Sequence, residues 1–146
     1  MRWSGPRKLA GGAPQARGEI LRLRRAGTVS RGPLNADVRW HLNHALIFED
    51  LASALQELGG LLRQHNEDFW AKKVDADLRL IQQFEVYGVE RFLMHFGGMG
   101  SLNDVVLTRE GGIDLDPTTR QSANSRLRML LTRAYQAAKQ ILRNAT

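Results

Sequence analysis

The sequence contains no cysteine and no long hydrophobic run. The lack of cysteine excludes a disulfide framework, a thiolate nucleophile and any zinc site with cysteine ligands. No apolar stretch approaches the roughly 20 residues of a membrane-spanning helix. The basic residues near the N-terminus are not followed by the apolar segment of a secretory signal. We therefore expect a soluble, cytoplasmic protein without a membrane partner.

The chain is long enough to form one domain with a hydrophobic core. It has 146 residues, of which 42% are hydrophobic and 25% are charged. These proportions are typical of a globular domain.

The net charge of +6 is distributed unevenly. Residues 1–35, which we call the basic leader, have a net charge of +7, residues 36–118 of −7, and residues 119–146 of +6. The part of the chain after the leader is therefore close to neutral. The pI of about 10.5 reflects the leader more than the rest of the chain.

The leader is interrupted by glycine and proline, and only residues 19–25 (EILRLRR) have a helical pattern. Two turns are too short for a stable isolated helix. We predict that residues 1–35 are disordered and that residues 36–146 form a helical domain. Three interpretations of the leader stay open: an unstructured extension, an organelle transit peptide and a nucleic-acid-binding arm.

Apolar residues recur at helical spacing in four segments. The pattern predicts helices over residues 38–65 and 67–84, a short third helix separated from the second by Gly88, and a last helix capped by Asp116 with Pro117 at its first position. We expect an all-α, compact four-helix domain with a glycine-rich corner, and the Gly111–Gly112 pair allows a tiny β-hairpin. The residues predicted to be buried are Leu55, Leu58, Val74, Leu78, Phe92, Leu127 and Leu130.

Some polar residues and glycines have predicted local roles. Asn66 is expected to cap the second helix, and Asp77 is expected on an outward face of that helix. Gly59 and Gly60 indicate a kink or a close helix approach in the first helix.

The histidines form no recognisable catalytic or metal-binding pattern. His41 and His44 are three residues apart, but a metal site would need a further ligand that the sequence does not indicate. His95 could act as a general base only with a partner that is equally absent from the pattern. We therefore expect no catalytic residues, no metal and no cofactor.

The most distinctive motif is FGGMGSLND at residues 96–104, which we call the glycine corner. It lacks the Gly-Lys-Ser/Thr ending of a P-loop and the order of a dinucleotide fingerprint. Our main interpretation is structural, with Ser101 and Asp104 as a capping box and Asn103 bonded to backbone. The alternative is a binding corner for a protein. The candidate residues for either role are Trp70, Phe96, Gly97, Gly98, Met99, Gly100, Ser101, Asn103 and Asp104.

Three stretches resemble a family of small bacterial proteins classed as a domain of unknown function. They are HNEDFWAKKVDADLRLI, GVERFLMHFGGMGSLNDVVL and NSRLRMLLTRAYQAAKQIL, and the resemblance extends over about residues 45–145. The corresponding residues are Glu67, Asp68 and Trp70, the glycine corner, and the Ala134, Tyr135 and Ala138 pattern. The resemblance implies a fold and a bacterial source, but no activity.

The expected function is a non-enzymatic protein-interaction module. Some small helical bacterial proteins of this kind are immunity proteins that neutralise a toxin, so an immunity- or antitoxin-like role follows by analogy. The alternative is a nucleic-acid-associated protein that uses the leader and the last helix, because residues 119–146 contain six basic and no acidic side chains.

Overall fold

Four α-helices dominate the computed structural model, which describes residues 35–145. They are α1 (Ala36–Gln64), α2 (Asp68–Gln82), α3 (Val86–Leu93) and α4 (Pro117–Ala145). This confirms the predicted all-α four-helix fold. The predictions made for residues 1–34 of the leader lie outside the described residues. No helix within residues 35–145 is both long and apolar enough to cross a membrane.

The core lies between the two long helices and the two short ones. The helix α1 packs against α2 and α4, and α3 packs against α2 and α4. Six of the seven residues predicted to be buried are in the core, and Leu78 is only partly buried. Its neighbour Asp77 is fully buried instead, so the prediction that Asp77 faces outward is wrong. The largest fully buried side chains include Phe48, Leu55, Leu58, Ile81, Phe92 and Leu127.

The two long helices begin at side-chain caps. The Asn35 Oδ1 atom accepts a hydrogen bond from the Val38 amide at 2.8 Å. The Asp116 Oδ1 atom accepts one from the Thr119 amide at 2.8 Å, which confirms the predicted start of α4. Hydrogen bonds from the Thr119 amide and hydroxyl lower the pKa of the Asp116 carboxyl, because they stabilise the ionised form.

Asn66, in the corner between α1 and α2, does not cap α2. The N-cap residue is Glu67, without a side-chain bond, whereas Asn66 has a positive φ of 66°. Its Oδ1 atom accepts a hydrogen bond from the Gly112 amide at 2.9 Å. The buried ring of His65 donates through Nδ1 to the Arg109 carbonyl at 2.8 Å. The two side chains therefore attach a distant segment to this corner.

That segment is the small β-hairpin allowed by the sequence. Its strands are β1 (Arg109–Glu110) and β2 (Ile113–Asp114), paired antiparallel. Gly111 and Gly112 form the turn with φ values of 58° and 81°. A two-residue hairpin turn whose twist matches that of its strands can require positive φ at both central residues, as found here.

Gly88 lies inside α3 and does not separate α2 from α3, so that prediction is wrong. The chain turns before it, at Phe84, which has a φ of 60°. A Cβ atom on Gly88 would lie 2.6 Å from the Cβ atom of Leu80. Gly88 therefore allows α3 to approach α2 closely. Gly59 has a similar role in α1, where an added Cβ atom would lie 2.9 Å from Asp75 Oδ1.

One asparagine fixes the segment that leads from the glycine corner to the hairpin. The Asn124 Oδ1 atom accepts from the Leu107 amide at 2.7 Å, and its Nδ2 atom donates to the Leu107 carbonyl at 2.9 Å. The side chain therefore pairs with this backbone as a neighbouring strand would. Leu107 is fully buried as a result of this docking on α4.

Candidate functional site

Three glycines of the glycine corner have left-handed backbone conformations. The φ values are 91° at Gly97, 80° at Gly98 and 73° at Gly100. These glycines follow the third helix, which ends at Leu93. Only glycine adopts such angles without a steric cost.

Side chains within the corner hold these glycines in place. The Asn103 Oδ1 atom accepts from the Gly97 amide at 3.2 Å, and the Asp104 Oδ2 atom accepts from the Gly100 amide at 2.9 Å. The Ser101 hydroxyl donates to the Gly98 carbonyl at 2.9 Å. The prediction that Asn103 bonds to backbone is therefore confirmed, and Asp104 bonds to backbone as well.

The predicted capping box is wrong in its detail. Ser101 is the N-cap residue of a short 3-10 turn, Leu102–Asp104, but its side chain makes no capping bond. The hydroxyl points back to Gly98 because the corner folds over itself. Leu102 is fully buried and its amide donates to the His95 carbonyl at 2.8 Å. The corner thus closes on the residue that precedes it, His95.

His95 also has a partner in the core. Its Nε2 atom lies 2.7 Å from Asp77 Oδ2, and the Arg91 Nε atom lies 3.3 Å from Asp77 Oδ1. The Asp77 side chain is inaccessible to solvent, whereas those of His95 and Arg91 are 14% and 37% exposed. The buried carboxylate therefore joins α2 to α3 and to the first residue before the corner.

Sequence reasoning missed this cluster. Asp77 follows a polar stretch of α2 and lies next to Leu78, so periodicity placed it outside the core. The available signal was the combination of an acid in α2 with a basic residue in the next helix, Arg91, and a histidine four residues later, His95, just after that helix ends. That pattern is common on solvated surfaces, and tertiary packing alone distinguishes the two cases.

Trp70, which belongs to the Glu67, Asp68 and Trp70 motif at the start of α2, contacts this cluster. Its half-buried ring contacts the His95 ring edge-on, with 5.5 Å between centroids. The neighbouring Phe69 is 64% exposed and lies 5.2 Å from Trp70 between ring centroids. Trp70 therefore covers His95, and Phe69 faces solvent. Trp70 therefore lies beside His95, the residue before the glycine corner, and is not part of the corner itself.

The corner and α4 enclose an open groove of about 460 Å³, which we call the corner groove. The Phe96 and Tyr135 rings form an edge-to-face contact on its wall, with 5.1 Å between centroids. The groove thus unites the central motif with the alanine–tyrosine motif of the last helix. Its lining includes Phe96, Gly97, Asn103, Arg128, Leu131 and Tyr135.

Met99 lies in the corner with its side chain entirely exposed, at 100%. Met94, at the end of α3, is 80% exposed. Isolated exposed apolar residues are ordinary, but Met99 differs because its loop is fixed by the bonds at Gly98 and Gly100 described above. The corner therefore presents an apolar side chain from a well-bonded backbone.

His41 and His44 do not assemble a metal centre in the described part of the chain. His44 is buried, stacks on Trp40 with 3.9 Å between ring centroids, and leaves its Nε2 atom without a hydrogen bond. No group of three or more potential metal ligands occurs within residues 35–145. Burial lowers the pKa of His44 below its ordinary value of 6.5.

Comparison with known proteins finds a similarity, over a segment that includes the corner, to a family model without an assigned function. No curated protein and no solved structure matches the chain significantly. The segment that matches a family model includes α2, α3, the glycine corner and the hairpin. Residues 63–116 match the model described as a domain of unknown function, DUF6966, which confirms the resemblance to an uncharacterised domain family.

Proposed function

We propose that this domain is a non-enzymatic protein-interaction module that binds its partner through the glycine corner and the corner groove. The observation that carries the proposal is the complete exposure of Met99 on a loop whose glycines are held by Ser101, Asn103 and Asp104. Burying a methionine side chain contributes about 1.5–3 kcal/mol. A partner that covers Met99 would gain this stabilisation.

The rigidity of the corner supports the same proposal. Ordering a flexible loop on binding costs free energy, and a loop that is already fixed avoids most of that cost. The aromatic wall formed by Phe96 and Tyr135 adds residue types that are enriched in the centres of interfaces. The corner thus has both a fixed backbone and apolar groups to bury.

The Asp77–His95 pair does not favour a catalytic site over an interaction surface. A carboxylate orients the histidine in many catalytic sites, but such sites also need a nucleophile or a substrate proton within reach. In the described chain, the nearby Ser101 hydroxyl donates to the Gly98 carbonyl, and the Trp70 ring covers His95. We assign the pair a structural role, which is to anchor the base of the corner.

The nucleic-acid alternative is weakened by ion pairs on α4. Arg133 pairs with Asp50 at 2.7 Å, and Arg126 pairs with Glu57 at 3.0 Å. Part of the positive charge of this helix is therefore balanced by α1. If the alternative were right, DNA binding would fall steeply with salt and would be lost on removal of the leader.

An immunity- or antitoxin-like role in a bacterial cytoplasm is the more specific form of this proposal. It rests on the family resemblance and on analogy. A toxin gene next to the gene for this protein would favour it, and co-expression with that toxin would test it directly.

Photo-cross-linking from position 99 tests the proposed function. A photoreactive amino acid replaces Met99 in the full chain, which is then irradiated in a lysate of the source organism. We expect a discrete cross-linked partner from position 99 and none from position 113 of the hairpin, where Ile113 is 74% exposed. Absence of a cross-link, or the same products from both positions, would contradict the proposal.

A further inference from the structure

We infer that the corner groove binds an acidic peptide segment of the partner, in which a carboxylate lies next to an aromatic or large aliphatic side chain. This inference rests on the proposed function and specifies its ligand. It follows from two properties of the groove, namely its apolar wall and the one charged side chain that lines it within residues 35–145.

The wall of the groove suits one or two apolar side chains. Phe96 and Tyr135 form the aromatic part, and Leu131, which is 7% exposed, belongs to the core beneath them. A volume of about 460 Å³ is within the range of small ligand sites. Tyr135 is 39% exposed, so part of this residue remains accessible to a ligand.

Among the described residues, Arg128 is the only charged one that lines the groove. It is exposed and, in contrast to Arg126 and Arg133 on the same helix, makes no ion pair in the structure of residues 35–145. Arginine pairs with carboxylates through parallel hydrogen bonds from its planar guanidinium group. An uncompensated arginine beside an apolar groove therefore complements a peptide that contains an acid next to an apolar residue.

A peptide fits this surface better than a nucleic acid does. Arg128 also lines a second groove between α1 and α4, where Asp50 is one of the lining residues. Glu57 lies on the same face of α1, close to Arg126 and Arg133. A phosphate backbone that extended from Arg128 along this face would meet these carboxylates, whereas a short peptide confined to the corner groove would not.

Selection from a random peptide library on the full chain tests the inference. The probe is a display library of random twelve-residue peptides, and the most enriched sequence is then synthesised for affinity measurements. We expect enrichment of sequences with Asp or Glu next to Phe, Tyr, Trp or Leu. We expect Arg128→Gln to weaken binding about tenfold, which corresponds to about 1.4 kcal/mol.

Arg120→Gln is the matched control. Arg120 is exposed on the same helix, eight residues before Arg128, and does not line the groove. It should leave the affinity unchanged. Replacing the acid of the synthetic peptide by its amide should weaken binding to the parent chain and have little effect on binding to the Arg128→Gln variant.

Several outcomes would overturn the inference. They are enrichment of basic or neutral peptides, no enrichment at all, and equal affinity for the parent and the Arg128→Gln variant. Tighter binding after removal of residues 1–34 would assign the groove to the chain's own leader. A partner that cross-links from position 99 but binds the Arg128→Gln variant normally would leave the proposed function intact and refute only the acidic ligand.

Discussion

The His95 Nε2 atom donates a hydrogen bond to Asp77 Oδ2 over 2.7 Å, inside the contact between α2 and α3. The carbonyl of the same histidine accepts the Leu102 amide at 2.8 Å. His95 therefore links a fully buried carboxylate with the return of the glycine corner. This connection makes the geometry of a surface loop dependent on a buried carboxylate and its hydrogen-bond partner.

Removing the histidine should destabilise the fold strongly. His95→Leu removes the hydrogen bond that the buried Asp77 carboxylate accepts and leaves it with Arg91 alone. Losing a hydrogen bond to a charged group costs about 1.5–3 kcal/mol. Urea denaturation of the parent and the variant measures the change. The double variant Asp77→Leu, His95→Leu should recover part of the loss, because no buried carboxylate is then left short of a hydrogen-bond partner. If the free energy of unfolding of His95→Leu equals that of the parent, the Asp77–His95 pair contributes nothing to stability.

Two glycine-to-alanine substitutions should have opposite effects. Gly88→Ala places a Cβ atom 2.6 Å from Leu80 Cβ and 3.1 Å from the Asp77 carbonyl, so it should force α2 and α3 apart and cost about 1–3 kcal/mol. Gly60→Ala, inside α1 with no atom within 4 Å of the added Cβ, should instead stabilise the protein by about 0.5–1 kcal/mol. Thermal melting of both variants distinguishes the two cases, and a stabilised Gly88→Ala variant would refute the close approach.

Acidification should destabilise the protein partly through His44. Burial lowers the pKa of His44, so the folded state favours the neutral ring. The unfolded chain binds the proton more readily, and stability should fall as the pH decreases through 6.5 and below. His44→Phe keeps an aromatic ring without a titrating group. Its unfolding free energy should decline less than that of the parent between pH 8 and pH 5, and an identical decline would exclude His44 as a cause.

Deletion of residues 1–34 should leave the fold intact. The remaining chain keeps Asn35, whose side chain caps α1, and all of the core residues named above. We expect cooperative melting at nearly the temperature of the full chain. A decrease of more than about 8 °C, roughly 1–2 kcal/mol for a domain of this size, would show that the leader packs onto the helices.

The helices were predictable from the sequence because each carries its own local signal. The leucine spacing in α1 and the Asp116–Pro117 start of α4 depend only on residues close in the chain. The corners were harder, because Asn66 and Gly88 act on partners that periodicity does not identify. Asn66 binds Gly112, 46 residues away, and Gly88 accommodates Leu80 across a turn.

The glycine corner was recognised from its composition, but its connections to the rest of the molecule were not. Positive φ at Gly97 and Gly98 follows from the chemistry of glycine. The contact between Phe96 and Tyr135 joins residues 39 positions apart, and the Asp77–His95 pair depends on the approach of α3 to α2. Such long-range contacts arise from tertiary packing and leave no local pattern. Arg128 has the same appearance in the sequence as its paired neighbours Arg126 and Arg133.

Replacement of Met99 by glutamine tests the central claim most directly. The full chain with Met99→Gln is compared with the parent and with Ile113→Gln, a similar change at another exposed position. The two measurements are capture of the partner identified by cross-linking and the free energy of unfolding. Because Met99 is 100% exposed, we expect the free energy of unfolding to stay unchanged, within about 0.5 kcal/mol. Capture should fall about tenfold or more in Met99→Gln alone. Undiminished capture by Met99→Gln would contradict the assignment of the glycine corner as the interaction surface.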